Sequence, residues 1–164
     1  MAQEEQDARA DLIRRGVLDQ DQPLRTTHLR QAARLREVFD GSGWPGISLV
    51  GNEGAEAAWL VAQQTAAVDL PLGERCVELL ARAVEAGDAP ARHLAILTDA
   101  VRWQEGRPQV YGSVHVVDQR TQTVVPWTIE DPDTVDERRA AVGLPELTAH
   151  TRALQTRHRT ERGL

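Results

Sequence analysis

The sequence predicts an α+β fold that is mainly α: five or six helices packed around a small antiparallel β-hairpin. Three observations carry this expectation. Apolar residues recur at three- and four-residue spacings through the first two thirds of the chain. Gly- and Pro-containing clusters cut that stretch into pieces of helical length. After Gly106-Arg107 the texture turns β-branched and partly alternating, in two runs separated by polar residues.

Residues 3–16 read as a polar helix with sparse apolar positions at Ala8, Leu12 and Ile13, followed by a polar connector through Pro23. A stronger helix is predicted from Pro23 to Asp40, where Leu35, Val38 and Phe39 have i, i+3, i+4 spacing. Gly41-Ser42-Gly43-Trp44-Pro45-Gly46 breaks it, and Ile47–Gly51 reads as a short extended connector. Asn52 or Glu53 opens an Ala-rich helix over 53–67. Asp69–Gly73 separates it from a helix over 73–86, whose stripe is Cys76, Leu79, Leu80, Ala83 and Val84. Gly87-Asp88-Ala89-Pro90 starts the next helix, 90–103. The two β-rich runs are 108–117 and 124–129, and Pro126 marks the second as an edge or bulged strand. Thr134 and Glu137 have capping-box spacing for a short helix through Ala141. A last helix runs from Glu146 to about Arg159. Residues 1–22 are thus expected to form an N-terminal helix and connector, 23–160 a single globular domain, and 161–164 a frayed tail.

Composition narrows the function. The chain has 164 residues, 41% hydrophobic and 27% charged, as an ordinary globular protein does. With 25 acidic against 19 basic residues the formal net charge is −6, so no nucleic-acid partner is expected. No apolar run reaches the ~20 residues of a membrane helix, so no membrane partner is expected either. The acidic start Met1–Asp7 is unlike a secretory or transit signal, and the single Cys76 allows no internal disulfide. A cytoplasmic location follows as the expectation. All 19 basic residues are Arg, consistent with a high-GC bacterial coding bias, so lysine Schiff-base and P-loop chemistry are excluded. His150 and His158 are eight residues apart, too far for the zinc-helix spacing, and no metal site or other cofactor is expected. Nothing in the pattern sets an oligomeric state.

Several short motifs occur in a fixed order: Gly43-Trp44-Pro45-Gly46, Val50-Gly51, Ala57-Ala58-Trp59-Leu60 with Gln63, Leu97-Thr98-Asp99, Gly106–Gly112, and Val135–Pro145. In these the chain resembles a bacterial family of unknown function, domain of unknown function 6624, over roughly residues 28–147. The resemblance implies no particular reaction. It does imply divergence, because four polar family positions are replaced here. Gln64 stands for a His, Ala66 for an Asp, Ala100 for an Arg, and Ser113-Val114 for a Thr-Gln pair. Any polar site of the family is therefore expected to be a different, more apolar pocket in this chain.

The residues themselves suggest one constellation. Gln109, Tyr111, Ser113 and His115 share one face if 108–117 is a continuous strand. His115 is the natural general acid or base near neutral pH, with Asp99 to orient it; a solvated sheet face is the plain alternative. Trp44, held between Gly43 and Pro45, is either a pocket wall or a plug on the core. Trp59 and Gln64 on the Ala-rich helix are expected to line the same pocket, with Gln64 positioning rather than titrating. His28 reads as a partly buried histidine, His93 as a surface residue, and Cys76 as a small buried hydrophobe. The basic tail (Arg152, Arg157, His158, Arg159, Arg162) either meets an acidic partner or frays. The expected function is small-molecule binding with metal- and nucleotide-independent acid/base chemistry by His115 and Asp99. The alternative is a non-enzymatic protein- or peptide-interaction module.

Overall fold

The computed structural model describes residues 22–66 and 68–163, which excludes the expected helix 3–16 and most of its connector. Within the described residues the order is α1 (Gln22–Ser42), α2 (Ile47–Ala66), α3 (Leu70–Glu85), α4 (Ala91–Gln104), β1 (His115–Asp118), β2 (Thr123–Pro126), a 3-10 turn (Pro132–Thr134), α5 (Val135–Ala141) and α6 (Leu147–Glu161). The fold is mainly α with one two-stranded antiparallel sheet, as the sequence predicts. Among the described residues no helix is long and apolar enough to cross a membrane.

The first four helices make the apolar core. Leu72, Cys76 and Leu80 recur every fourth residue of α3 and are each at most 1% exposed. Leu97 of α4, Ala32, Leu35 and Phe39 of α1, and Trp59, Ala62 and Ala66 of α2 complete the cluster. Burial pushes the Cys76 thiol up to about 12, which keeps it an inert hydrophobe as expected.

Two helix starts differ from the sequence expectation. Ile47–Val50 is helical rather than extended, and joins the rest of α2 across a kink at Gly51, where φ is +72°. Asp88, in the α3–α4 loop, caps this turn from outside. Its main-chain oxygen accepts from Ile47 N at 3.0 Å, and its carboxylate accepts from Ser48 N at 2.7 Å and Ser48 Oγ at 2.9 Å. The cap comes from 40 residues away, so local propensity cannot reveal it. The next helix begins at Leu70 rather than Gly73, because Asp69 caps it through Leu72 N and Pro71 is tolerated in a first helical turn.

Trp44 resolves as the plug. It is 8% exposed and stacks on Phe39 with ring centroids 5.8 Å apart. Gly43 N donates to Phe39 O, so the loop turns directly back over the end of α1. An apolar cavity of about 330 Å³ does open beside this loop, lined by Leu35, Val38, Pro45, Val50 and Val61, but Trp44 is not in its wall. Trp44→Ala should therefore lower unfolding free energy by about 3–5 kcal/mol, the usual cost of emptying an aromatic site in a core. Urea denaturation followed by circular dichroism measures it, and a loss under about 1 kcal/mol would place the ring outside the core.

Candidate functional site

The expected long strand does not form. Only His115–Asp118 is β1; Gln109 pairs with Ile129 in an isolated parallel bridge, and 110–114 is an irregular loop fixed mainly by side chains. The two strands are short and in register, with His115 opposite Pro126 and Asp118 opposite Thr123. Gln109, Tyr111, Ser113 and His115 consequently do not share a pleated face. Gly112 shows why the chain leaves strand geometry here. Its φ is +68°, and a Cβ on it would lie 2.8 Å from Leu147 Cδ1 and 3.0 Å from Ile129 Cδ1. The loop must turn left-handed where α6 and the 129 segment press against it, which glycine tolerates best.

Asp99 holds the donors of this loop. It is fully buried in α4, and its carboxylate accepts from Val110 N at 2.7 Å, Tyr111 N at 3.1 Å, Ser113 N at 2.9 Å and Ser113 Oγ at 2.9 Å. Gln109, also fully buried, uses its whole amide. Oε1 accepts from Val114 N at 2.8 Å, while Nε2 donates to Val114 O and Trp127 O at 3.0 and 2.9 Å. The carbonyls go to two arginines of α5. Arg138 Nε donates to Val110 O at 2.8 Å, and Arg139 donates to Tyr111 O at 2.6 Å and to Pro145 O at 2.6 Å. Arg139 is 1% exposed; burial lowers its pKa, while Asp136 and Asp99 favour its charge.

This arrangement corrects several sequence assignments. Asp99 and Gln109 serve the backbone and have no free valence for a ligand. Asp99 does not touch the His115 ring; it holds Ser113, whose carbonyl faces His115 Nδ1 at 3.3 Å. Trp59 lies in the core 9% exposed, its Nε1 donating to His93 O and its ring 4.1 Å from the ring of His93. His93 is thus buried rather than a surface residue. Gln64 is exposed on α2, and Tyr111 is half-buried with its main chain engaged. Of the substituted family positions, Gln64, Ala66, Ala100, Ser113 and Val114, only Ser113 lines the cavity beside His115. Thr134 makes no capping box; its hydroxyl donates to Asp131 and receives Arg138.

The structure does gather a polar cavity of about 260 Å³ between the hairpin and α6, lined by Ser113, His115, Leu154, Arg157, His158 and Glu161. The His115 ring is clamped: Nε2 lies 2.8 Å from Thr151 Oγ1. A carbonyl only accepts, so Nδ1 carries the hydrogen toward Ser113 O, and neutral Nε2 accepts from Thr151. Thr151 Oγ1 also lies 2.9 Å from Leu147 O. Its single hydrogen serves one of these partners at a time while His115 is neutral. Protonating Nε2 lets both bonds exist, but burial, opposed by the Ser113 bond, lowers the His115 pKa, as do His150 and Arg139. The His150 ring meets His115 edge-on at 5.2 Å. His158 Nε2 is buried without a hydrogen-bond partner. Among the described residues no group of three or more His, Cys, Asp and Glu side chains is placed to hold a metal ion.

Sequence reasoning singled out His115 and named Arg157 and His158 only as members of a basic tail; it missed Thr151 and Glu161. The strand supplies one wall, and nothing in the local spacing of α6 says that it supplies the other. The cluster of Arg and His in the tail was the available signal. That tail is helical through Glu161, with Arg162 donating to Gln122.

Two outcomes follow. Asp99→Asn replaces an acceptor oxygen by a donor facing main-chain N–H groups, so stability should fall by about 2–4 kcal/mol, in the range for a broken buried charged hydrogen-bond set. Amide exchange at Val110, Tyr111 and Ser113 should accelerate most; unchanged protection there would contradict the latch. The pH response follows from the histidines. Burial lowers the pKa of His93, His115 and His150 from 6.5, so the unfolded chain takes up protons first as pH falls. Their contribution is complete above about 6.5 and is lost as the pH drops toward the folded-state values. Melting temperature should therefore decline below that point, with a shallower decline in His93→Gln/His150→Gln.

No curated protein and no solved structure matches the chain. A family match does extend across the loop, the hairpin, α5 and nearly all of α6, covering residues 17–160. The chain belongs to the Family of unknown function (DUF6624).

Proposed function

We propose that the chain is a small-molecule-binding domain whose site is the cavity between the hairpin and α6, with His115 exchanging a proton with the bound ligand. The observation that carries this reading is the convergence of Ser113, His115, Arg157, His158 and Glu161 on one polar cavity of about 260 Å³. Its volume is near the lower end of the ~300–1,000 Å³ typical of ligand pockets, which favours a small organic molecule.

His115 suits proton exchange for a physical reason. Burial favours neutral imidazole, while the two fixed acceptors around the ring are fully used only by the imidazolium. Burial is the larger influence and the net shift is downward, so the resting ring is the neutral base that can take a proton from a ligand. His158 offers a further donor or acceptor through its buried, unpartnered Nε2. Asp99 acts at one remove, as a positioning residue through Ser113.

A thermal-shift screen of small carboxylic acids, amines and hydroxy acids, followed by NMR of the histidine ring nitrogens, tests the reading. A binder should perturb the His115 and His158 ring signals. His115→Gln should weaken that binder by about tenfold or more while leaving the melting temperature within about 3 °C, as expected for a substitution outside the apolar core. A binder that leaves both rings unmoved, or binds His115→Gln as well as the native chain, would place the site elsewhere.

A further inference from the structure

The hairpin has a second flank against α6. There β2 and the helix form a groove of about 520 Å³, separate from the His115 cavity and sharing only Val124 with it. Its apolar surface comes from Val124, Pro126 and Leu147, and its charged groups are Arg152 and Arg159, with no acidic residue in the lining. Both arginines are exposed, and among the described residues neither guanidinium has a hydrogen bond or ion pair. They are seven residues apart, two helical turns, which sets them about 10 Å apart on one face of α6. In a chain of formal net charge −6, an apolar trough with two unpaired guanidiniums and no carboxylate is a local reversal of sign.

We propose that this groove docks an acidic, extended peptide segment of a partner protein. The charge argument selects carboxylates, which guanidinium forks bind with favourable geometry. The spacing selects a chain over a point anion, since about 10 Å falls between the ~7 Å and ~13 Å that separate same-face side chains two and four residues apart in an extended peptide, a difference that long arginine side chains span. The apolar surface selects alternation, with acidic side chains toward the arginines and apolar ones toward Val124, Pro126 and Leu147. Recognition runs through side chains rather than strand addition. The Val124 N–H already donates to Gln155 Oε1 at 2.6 Å, and Pro126 has no N–H to offer, so the ladder edge of β2 is closed. The groove adjoins the proposed proton-exchange cavity through Val124 and Thr151, but its test reads Arg152 and Arg159 and not His115, so the two assignments are tested separately.

The test is fluorescence anisotropy with a labelled, end-blocked hexapeptide of alternating Glu and Val, compared with its Gln-Val counterpart, at low and physiological salt. The acidic peptide should bind, and should weaken as salt rises. Arg152→Gln/Arg159→Gln should weaken it by about tenfold or more, as expected for losing two charge-assisted contacts. Arg92→Gln, an exposed arginine of α4, should leave binding unchanged and so controls for net charge. The proposal is overturned if the acidic peptide does not bind, if the Gln-Val peptide binds equally, or if the double variant binds like the native chain. Displacement by free glutarate at concentrations comparable to the peptide would also overturn it, because the groove would then be a small-anion site.

Discussion

One buried carboxylate organises the second half of this molecule. Asp99 sits on the last apolar helix of the core and collects the amides of Val110, Tyr111 and Ser113 together with the Ser113 hydroxyl. A loop running through a protein interior must have its N–H and C=O groups satisfied, and here neither a helix nor a sheet does so. Side chains replace the missing secondary structure: Asp99 takes donors, Arg138 and Arg139 take carbonyls, and Gln109 takes one N–H and two carbonyls. The position of His115 follows from this, since the residue enters β1 directly from the latched loop and its ring is aligned by Ser113.

The two halves of the chain are therefore held by different forces. Among the described residues, every buried apolar side chain but Val135 lies at or before Val101, whereas three of the five buried polar side chains (Asp99, Gln109 and Arg139) surround the loop. The helical half relies on area removed from water, a non-directional effect that tolerates some rearrangement. The hairpin half relies on directional bonds that work in one geometry only. This difference makes the latter half a suitable frame for a site: few apolar contacts would define it, but the loop admits little slack.

Much of the fold was legible because helical periodicity and Gly/Pro punctuation are local. The stripe Leu72-Cys76-Leu80 and the break at Gly41–Gly46 both follow from nearest neighbours in sequence. What was illegible depends on contacts across tens of residues. Val110, Val114 and Val116 suggest strand alternation, yet Asp99, eleven residues before Val110, offers the backbone a competing set of bonds and wins. The same holds at Ile47, where Asp88 supplies a cap that propensity could not foresee. His115 lines a cavity for a reason different from the one that singled it out. It lines the cavity because it begins a real strand facing α6, not because it ends a long polar face. Trp44 drew attention as a large aromatic in a loop and Trp59 as a pocket-lining residue, and both are explained by the core they fill.

The latch carries a further constraint. Burying a carboxylate and a guanidinium costs more desolvation energy than burying apolar groups of similar size, so stability alone does not explain Asp99 and Arg139. An apolar pair in their place would leave the N–H groups of 110, 111 and 113 and the carbonyls of 111 and 112 without partners, each a cost of about 1–3 kcal/mol. The charges and the irregular loop therefore presuppose one another. Removing the charges would require straightening the loop into a strand, and a strand through Gly112 would break the left-handed turn beneath Leu147 that seats α6. The two buried charges are best understood as the condition for having a hairpin at this angle to α6, and with it the wall of side chains that closes around His115.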